Sequence, residues 1–207
     1  MSGIAMPIIV LAAGASSRMR GRDKLLEKID GVPLLRAQVR KALEVAAGPV
    51  LVALPPAPHS RYDVLEGLPV VAVPVADAAE GMNASLRAAF AALPRGATHA
   101  MVLLADLPDL TADDLRYVIE AVDPAAETQV WRGTTEDGAS GHPIIFRSDL
   151  FAEFATLSGD SGGREVIARA EGRVVKVPLP GQRARRDLDT PEDWTAWRAA
   201  RVEGSGD

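Results

Sequence analysis

The stretch IIVLAAGASSRMRGRDKLLEKIDGVPLL, residues 8–35, decides the reading of this chain. An apolar run, Ile8–Ala12, stops at Gly14. Four cations follow within seven positions, at Arg18, Arg20, Arg22 and Lys24, before hydrophobicity resumes at Leu25. A strand that runs into a glycine turn exposes backbone N–H groups, and such a nest attracts anions. Arg18 and Lys24 add charge where a polyphosphate would lie, and Ser16 and Ser17 are small enough to admit a ligand. Taken alone, the stretch also fits a solvated basic loop. It matches neither the GxxxxGK[ST] phosphate loop nor the GxGxxG dinucleotide fingerprint.

Outward from this loop, short apolar runs alternate with helix-like segments. Strands are expected at Ile8–Ala12, Val50–Leu54, Val70–Val73, Ala100–Leu104, Thr128–Trp131, Pro143–Phe146 and Val174–Val177. The first four are almost wholly apolar, the pattern of strands covered on both faces. Helices are expected at Leu34–Ala46, Ser85–Ala92, Leu115–Val122, Asp149–Thr156, Gly163–Ala170 and Pro191–Ala200. Thr111 with Asp114 has the spacing of a capping box. Thr190 caps the last helix, Pro191 suits its first position, and Glu192 and Asp193 favour its positive end. The alternation predicts a three-layer α/β fold around a mostly parallel sheet with helices on both faces. The segment Asp123–Phe146 breaks the rhythm and reads as a hairpin or subdomain. Without repeats or a linker, residues 1–207 read as one domain, with flexible ends at 1–6 and 202–207.

The 207 residues carry a net charge of −5, so the opening cations are a local concentration on an acidic chain. That charge argues against a nucleic-acid binder, which needs a basic face. No cysteine is present, which excludes thiolate metal sites and a cysteine nucleophile. The apolar start is too short to span a bilayer. It has no basic leader and is broken by Pro7, so the expected location is the cytoplasm. His59, His99 and His142 lack metal-ligand spacing.

Two acidic stretches lie where chemistry is expected. In MVLLADLPDLT, residues 101–111, Asp106 stands just past an apolar strand, at the edge where open α/β sheets bind ligands. A carboxylate there can hold Mg²⁺ or cap a turn. In RRDLDTPEDW, residues 185–194, Asp187 and Asp189 precede a helix start and share a side if the segment is extended.

These residues resemble a known family. LAAGASSRMRGRDK, with DGVPLL after it, is similar to the signature loop of the MobA-like NTP transferases, approximately LAxGxSxRMGxxK. Arg20 stands where the pattern has glycine. ADLP resembles the family's (G/A)DMP motif, and DLDTPED its (D/N)IDTPED motif. GMNASL, residues 81–86, resembles GMxxSL of the molybdenum cofactor cytidylyltransferases. GHPIIF and LSGDSGGR resemble GHPVLF and LxGDxGAR.

The resemblance implies a Rossmann-like nucleotidyltransferase fold and a Mg²⁺-dependent transfer of a nucleotidyl group, CTP favoured, to a molybdopterin-type phosphate, with pyrophosphate released. It implies nucleotide contacts at Leu11, Ala12, Ala13, Gly14, Ser16, Ser17, Arg18, Lys24, Gly81, Asn83 and Ser85. Arg18, Lys24 and Asp106 would be catalytic. Asp106 and Asp189 would be metal ligands, with Asp187 the alternate to Asp189. His142, Gly162, Gly163 and Arg164 would face the acceptor, the last three as a phosphate-binding helix start. A molybdoenzyme or its chaperone is the implied protein partner, with neither nucleic acid nor membrane involved. A sugar phosphate or other phosphate acceptor, and a non-catalytic nucleotide-binding chaperone, stand as alternatives. A nicotinamide enzyme is disfavoured by the missing GxGxxG.

Overall fold

A computed structural model describes residues 6–203. Its centre is a seven-stranded sheet ordered β5-β4-β1-β6-β8-β7-β9. The strands are β1 Ile8–Leu11, β4 Val50–Leu54, β5 Val70–Pro74, β6 His99–Leu104, β7 Val130–Thr134, β8 Ser140–Arg147 and β9 Val174–Pro178. All are parallel except β8, which runs antiparallel between β6 and β7. The Asp123–Phe146 segment thus supplies the β7–β8 hairpin. A small second ladder joins β2 Lys28–Ile29 to β3 Val32–Pro33 and has no counterpart in the sequence reading. The helices are α1 Leu34–Val45, α2 Ser60–Asp63, α3 Met82–Ala91, α4 Ala112–Glu120, α5 Arg164–Arg169 and α6 Pro191–Glu203, and Ser148–Thr156 is a run of 3₁₀ turns.

Alternation along the strands builds two cores. Ile8, Val10, Val52, Leu54, Met101, Leu103 and Trp131 face one side, where Leu35 and Val39 of α1, Leu115 and Val118 of α4, and Trp194 and Trp197 of α6 cover them. Ile9, Leu11, Leu51, Ala53, Val102, Val130 and Ile144 face the other, against Leu86 and Phe90 of α3, Phe154, and Val166 of α5. These are the three layers expected of a mostly parallel sheet, here in a Rossmann-like arrangement.

Three expectations need correction. Val70–Val73 is not covered on both faces; β5 is an edge strand, and Val71 is 48% exposed. An edge strand can be as apolar as a central one, so composition did not separate them. Helix α3 begins three residues before the expected Ser85. The Asp160 carboxylate accepts from the Met82 N–H at 2.6 Å and caps the helix from 78 positions away. Met6, assigned to a flexible end, is buried in the first core. The rest of the calls on the two ends fall outside the described residues or on side chains not described there.

Candidate active site at the carboxyl edge of the sheet

The Gly14–Lys24 loop leaves β1 at the carboxyl edge. Met19 and Leu25 plug into the core, and the residues from Gly14 to Arg18 stand outward between Ala13 and Met19. Gly14 is not the residue that takes a left-handed backbone. Ser16 (φ 52°), Arg20 (φ 54°) and Gly21 (φ 86°) are. The left-handed φ explains why glycine suits position 20, since a side chain there is strained. Arg20 is exposed and pairs with Glu192 at 2.6 Å.

Arg61 of α2, 1% exposed, clamps this loop. Its Nε and one terminal nitrogen donate to the two oxygens of Asp23 at 2.7 and 2.8 Å. The other terminal nitrogen reaches the Ala12 carbonyl at 2.6 Å. Ser16 Oγ donates to Asp23 and accepts from Arg61 and from the Lys24 N–H. Its hydroxyl is therefore a brace of the loop, while the residue still lines the cleft. Burial works against the charge on Asp23, but Arg61 outweighs it and holds the carboxyl below its ordinary range. Sequence reading missed Asp23 and Arg61. Arg61 stands in the polar stretch HSRYD, residues 59–63, which carries no signal of its role, and nothing in one sequence pairs positions 23 and 61.

Asp106 follows β6. Its loop is held from α1, where Gln38 donates to the Leu107 carbonyl at 3.0 Å and Lys41 to those of Pro108 and Leu110 at 2.9 and 2.6 Å. Asp187 and Asp189 arrive by a longer route. Strand β9 ends at the same edge as β6 but three strand spacings away, about 14 Å. The chain from 179 to 189 crosses that gap. Ala184 and Leu188 are buried, Arg183 pairs with Asp114, Arg186 pairs with Asp109, and the Leu188 N–H donates to the Asp106 carbonyl. With Leu188 pointing into the core, its two neighbours face out together. Oxygens of Asp106, Asp187 and Asp189 lie within 4.8 Å of one another.

Lys24 Nζ stands 2.6 Å from both Asp106 and Asp189, and Arg18 binds the second oxygen of Asp189 at 2.6 Å. Burial opposes the Lys24 charge, yet the two carboxylates prevail and raise its affinity for the proton. Asp187 is pushed up, first by burial and then by Asp189 and Asp106. The other oxygen of Asp106, Oδ1, is buried without a partner. Asp193 does more than favour a helix end: its carboxylate accepts from the N–H groups of Asp189 and Thr190 while Thr190 Oγ1 caps Asp193.

A cleft of about 500 Å³ opens over these groups. Leu11, Ala12, Ala13, Gly14, Ser16, Ser17, Arg18, Lys24, Gly81, Ser85, Asp106, Asp187 and Asp189 line it. Asn83 does not. Its side chain donates to the Ser158 carbonyl and Ser161 Oγ and accepts from the Gly163 N–H, fastening the 158–163 loop to α3. The assignment of Asn83 to the nucleotide is corrected accordingly, and the helix is capped by Asp160 instead. A Cβ on Gly81 would come within 2.7 Å of that carboxylate, so Gly81 is needed for this approach. The reading of Gly162, Gly163 and Arg164 as a phosphate-binding helix start also fails. The Gly163 N–H is taken by Asn83, Gly163 packs on Leu86 and Phe154, and α5 has only six residues. The Arg164 side chain stays exposed. His142 lies on β8 outside the cleft lining, beside the end of β6. Burial, then Arg132, push it down to about 4, and its Nδ1 is enclosed without a partner.

Comparisons with known proteins agree with this geometry. The MobA-like NTP transferase domain family matches residues 8–174. The bifunctional protein GlmU of Maricaulis maris is 31% identical over 155 residues, which is 72% of this chain; the match spans about a third, 34%, of GlmU. The crystal structure of Rv0371c from Mycobacterium tuberculosis H37Rv superimposes with a TM-score of 0.77 at 29% identity, covering 93% of this chain and 97% of that one. Its manganese complex does so at 27% identity, with the same TM-score and coverage. A nucleotidyl transferase from Methanothermobacter thermautotroptrophicus shares the fold at 20% identity and TM-score 0.76, over 96% and 99% of the two chains. Asp187 and Asp189 lie beyond the matched family span, so their place at the site rests on the geometry described above. The chain belongs to the MobA-like NTP transferase family and carries a nucleotidyltransferase domain.

Proposed function

We propose that this protein transfers a nucleotidyl group from a nucleoside triphosphate, CTP in our reading, to the phosphate of a small acceptor of molybdopterin type. One observation carries the reading: Asp106, Asp187 and Asp189 converge beside Lys24 and Arg18 at the mouth of the Gly14–Lys24 loop. Three carboxylate oxygens at this spacing, with Asp106 Oδ1 buried and unpartnered, fit a hard divalent cation, and Mg²⁺ is the proposed one. When bound, the cation would neutralise phosphate charge and lower the barrier to pyrophosphate departure. Manganese in the Rv0371c complex is in keeping with a divalent site.

The chain's own residues account for the remainder. The acceptor phosphate oxygen forms a bond to the α-phosphorus, and the bond from that phosphorus to the bridging oxygen breaks. Pyrophosphate leaves with the electron pair. A phosphate dianion has no proton to lose, so no general base is required. Lys24 and Arg18 meet the negative charge that grows on the leaving group, and the fixed loop aligns it. Gly81 and Ser85, which line the cleft together with Ala12 and Ala13, supply surface for base and ribose.

CTP and the molybdopterin-type acceptor rest on the family resemblance, LAAG and GMNASL above all, as does a molybdoenzyme partner or its chaperone, whereas the cytoplasmic setting rests on the short apolar start without a basic leader. Among the described residues, no helix is long and apolar enough to cross a membrane. The test is pyrophosphate release with CTP, GTP, ATP or UTP and Mg²⁺, offered molybdopterin or a sugar phosphate. Release with CTP and molybdopterin is expected. Turnover confined to GTP or ATP overturns the cytidylyl reading, and turnover confined to a sugar phosphate overturns the acceptor.

A further inference from the structure

The cleft has a fourth acid in its wall. Asp160 lines it together with Ala78, Ala79, Gly81, Met82 and Ser85, and it stands apart from the three carboxylates that converge. It is carried there by the loop LSGDSGG, residues 157–163. Past Leu157 these residues are small and polar, and α3 with the turn before it holds them by hydrogen bonds. Arg87 donates to the Leu157 carbonyl and Asn83 to the Ser158 carbonyl, each at 2.6 Å. The Gly159 N–H donates to Glu80 at 3.0 Å, and Glu80 is itself fixed by Arg87 at 2.6 Å. Asn83 also donates to Ser161 Oγ at 2.8 Å and accepts from the Gly163 N–H at 3.2 Å. What this fastening holds in place is the Asp160 carboxylate. One oxygen, Oδ1, takes the Met82 N–H; among the described residues nothing donates to the other, and no cation pairs with it.

Its neighbours decide what that free oxygen can meet. Among the lining residues only Arg18 and Lys24 are cationic, and both are bound to the convergent carboxylates, so the triphosphate belongs there. A carboxylate without a counter-charge repels phosphate. Asp160 shares its part of the wall with uncharged residues, the part that takes the uncharged end of the nucleotide. A carboxylate only accepts, so the group opposite must donate. Ribose hydroxyls are common to all four nucleotides, but the pyrimidine edges differ. Cytosine offers a 4-amino donor where uracil has a carbonyl oxygen.

We propose that the free oxygen of Asp160 accepts from the 4-amino group of cytosine and selects CTP against UTP. This rests on the cytidylyl reading and names the residue that enforces it. Uracil would bring its carbonyl oxygen against the carboxylate, with no proton between them.

The test is calorimetric binding, with Mg²⁺, of CTP, UTP and a CTP analogue bearing hydrogen in place of the 4-amino group. Wild type and Asp160→Asn are compared. Asparagine keeps an oxygen for the Met82 N–H, so the start of α3 is preserved, which urea unfolding checks. The wild type should bind CTP at least about tenfold more tightly than UTP or the analogue, as a hydrogen bond to a charged group predicts. In Asp160→Asn the amide nitrogen replaces the free oxygen and donates, so UTP should bind at least as tightly as CTP. Pyrophosphate, which probes the other end of the cleft, should bind both proteins within about twofold. A CTP preference that survives Asp160→Asn, or a wild type that binds the analogue as tightly as CTP, overturns the role of Asp160 alone. A wild type that prefers GTP or ATP overturns the cytidylyl reading, and this role with it. CTP selected through Asp160 without pyrophosphate release to any acceptor would overturn the catalytic reading and leave the role standing.

Discussion

Replacing Arg61 by methionine should cost this protein both stability and nucleotide affinity. The wild-type guanidinium is 1% exposed and makes two bonds to Asp23, one to the Ala12 carbonyl and one to Ser16 Oγ. Methionine fills much of the volume but leaves Asp23, 17% exposed, without its counter-charge. Breaking one partner of a buried pair costs about 3–5 kcal/mol, because the remaining charge stays desolvated. For a chain of this size that lowers Tm by about 10 °C. The assay is urea unfolding at pH 7 of the wild type, Arg61→Met, Asp23→Asn and the double variant. Similar slopes would show that stability, not compactness, has changed. The coupling energy should be about 2–3 kcal/mol, with the double variant more stable than the sum of the singles implies. Arg61→Lys keeps the charge but not the fork and should fall between. The pair also sets an acid limit. Asp23 titrates below its unfolded value of 3.8, so its contribution is complete above that pH and is lost as pH falls through the lower folded value. Lys24 follows Asp23 directly, so triphosphate affinity should weaken with stability. A coupling below about 0.5 kcal/mol would refute the view that this clamp holds the loop.

The remaining predictions concern the carboxylates and His142. Lys24→Ala should slow nucleotidyl transfer strongly and yet tighten Mn²⁺ binding in the absence of nucleotide, because the ammonium no longer neutralises Asp106 and Asp189; weaker Mn²⁺ binding by electron paramagnetic resonance would contradict this. Asp106→Asn should lower turnover by about a hundredfold or more and weaken Mn²⁺ binding, since it removes the charge of one of the three clustered carboxylates. Asp189→Asn should act alike and Asp187→Asn less, and equal losses for the last two would place Asp187 among the essential ligands. His142 is held down to about 4, by burial and by Arg132 against the attraction of Asp106 and the Val102 carbonyl, whereas the unfolded chain titrates near 6.5. Between those values the unfolded state binds more protons, so stability should fall by up to about 3 kcal/mol from pH 6.5 to 4. His142→Gln should flatten that slope, and an unchanged pH profile would show that the ring is solvated.

How much of the protein was legible in one dimension follows from which interactions are local. Apolar strands such as Val50–Leu54, observed with the bounds expected, are set by composition and period. The Thr111–Asp114 capping box closes within one turn and was read from three positions of spacing. The glycine-rich cationic loop and the aspartate after β6 are likewise contiguous, and with them came the resemblance to the family. What the sequence left open are contacts between distant positions. Position 23 gives no sign of position 61, nor does Met82 of Asp160, and Asn83 looked like a ligand residue because its partners, Ser158 and Gly163, lie far along the chain. That Asp187 and Asp189 reach the site together was hidden in the same way. Leu188 turns into the core and its N–H binds the Asp106 carbonyl, so both acids face the site together. Local sequence determined which chemistry the chain carries at the end of each strand. Only tertiary packing, through buried plugs and paired charges spanning dozens of positions, decided which of those groups meet.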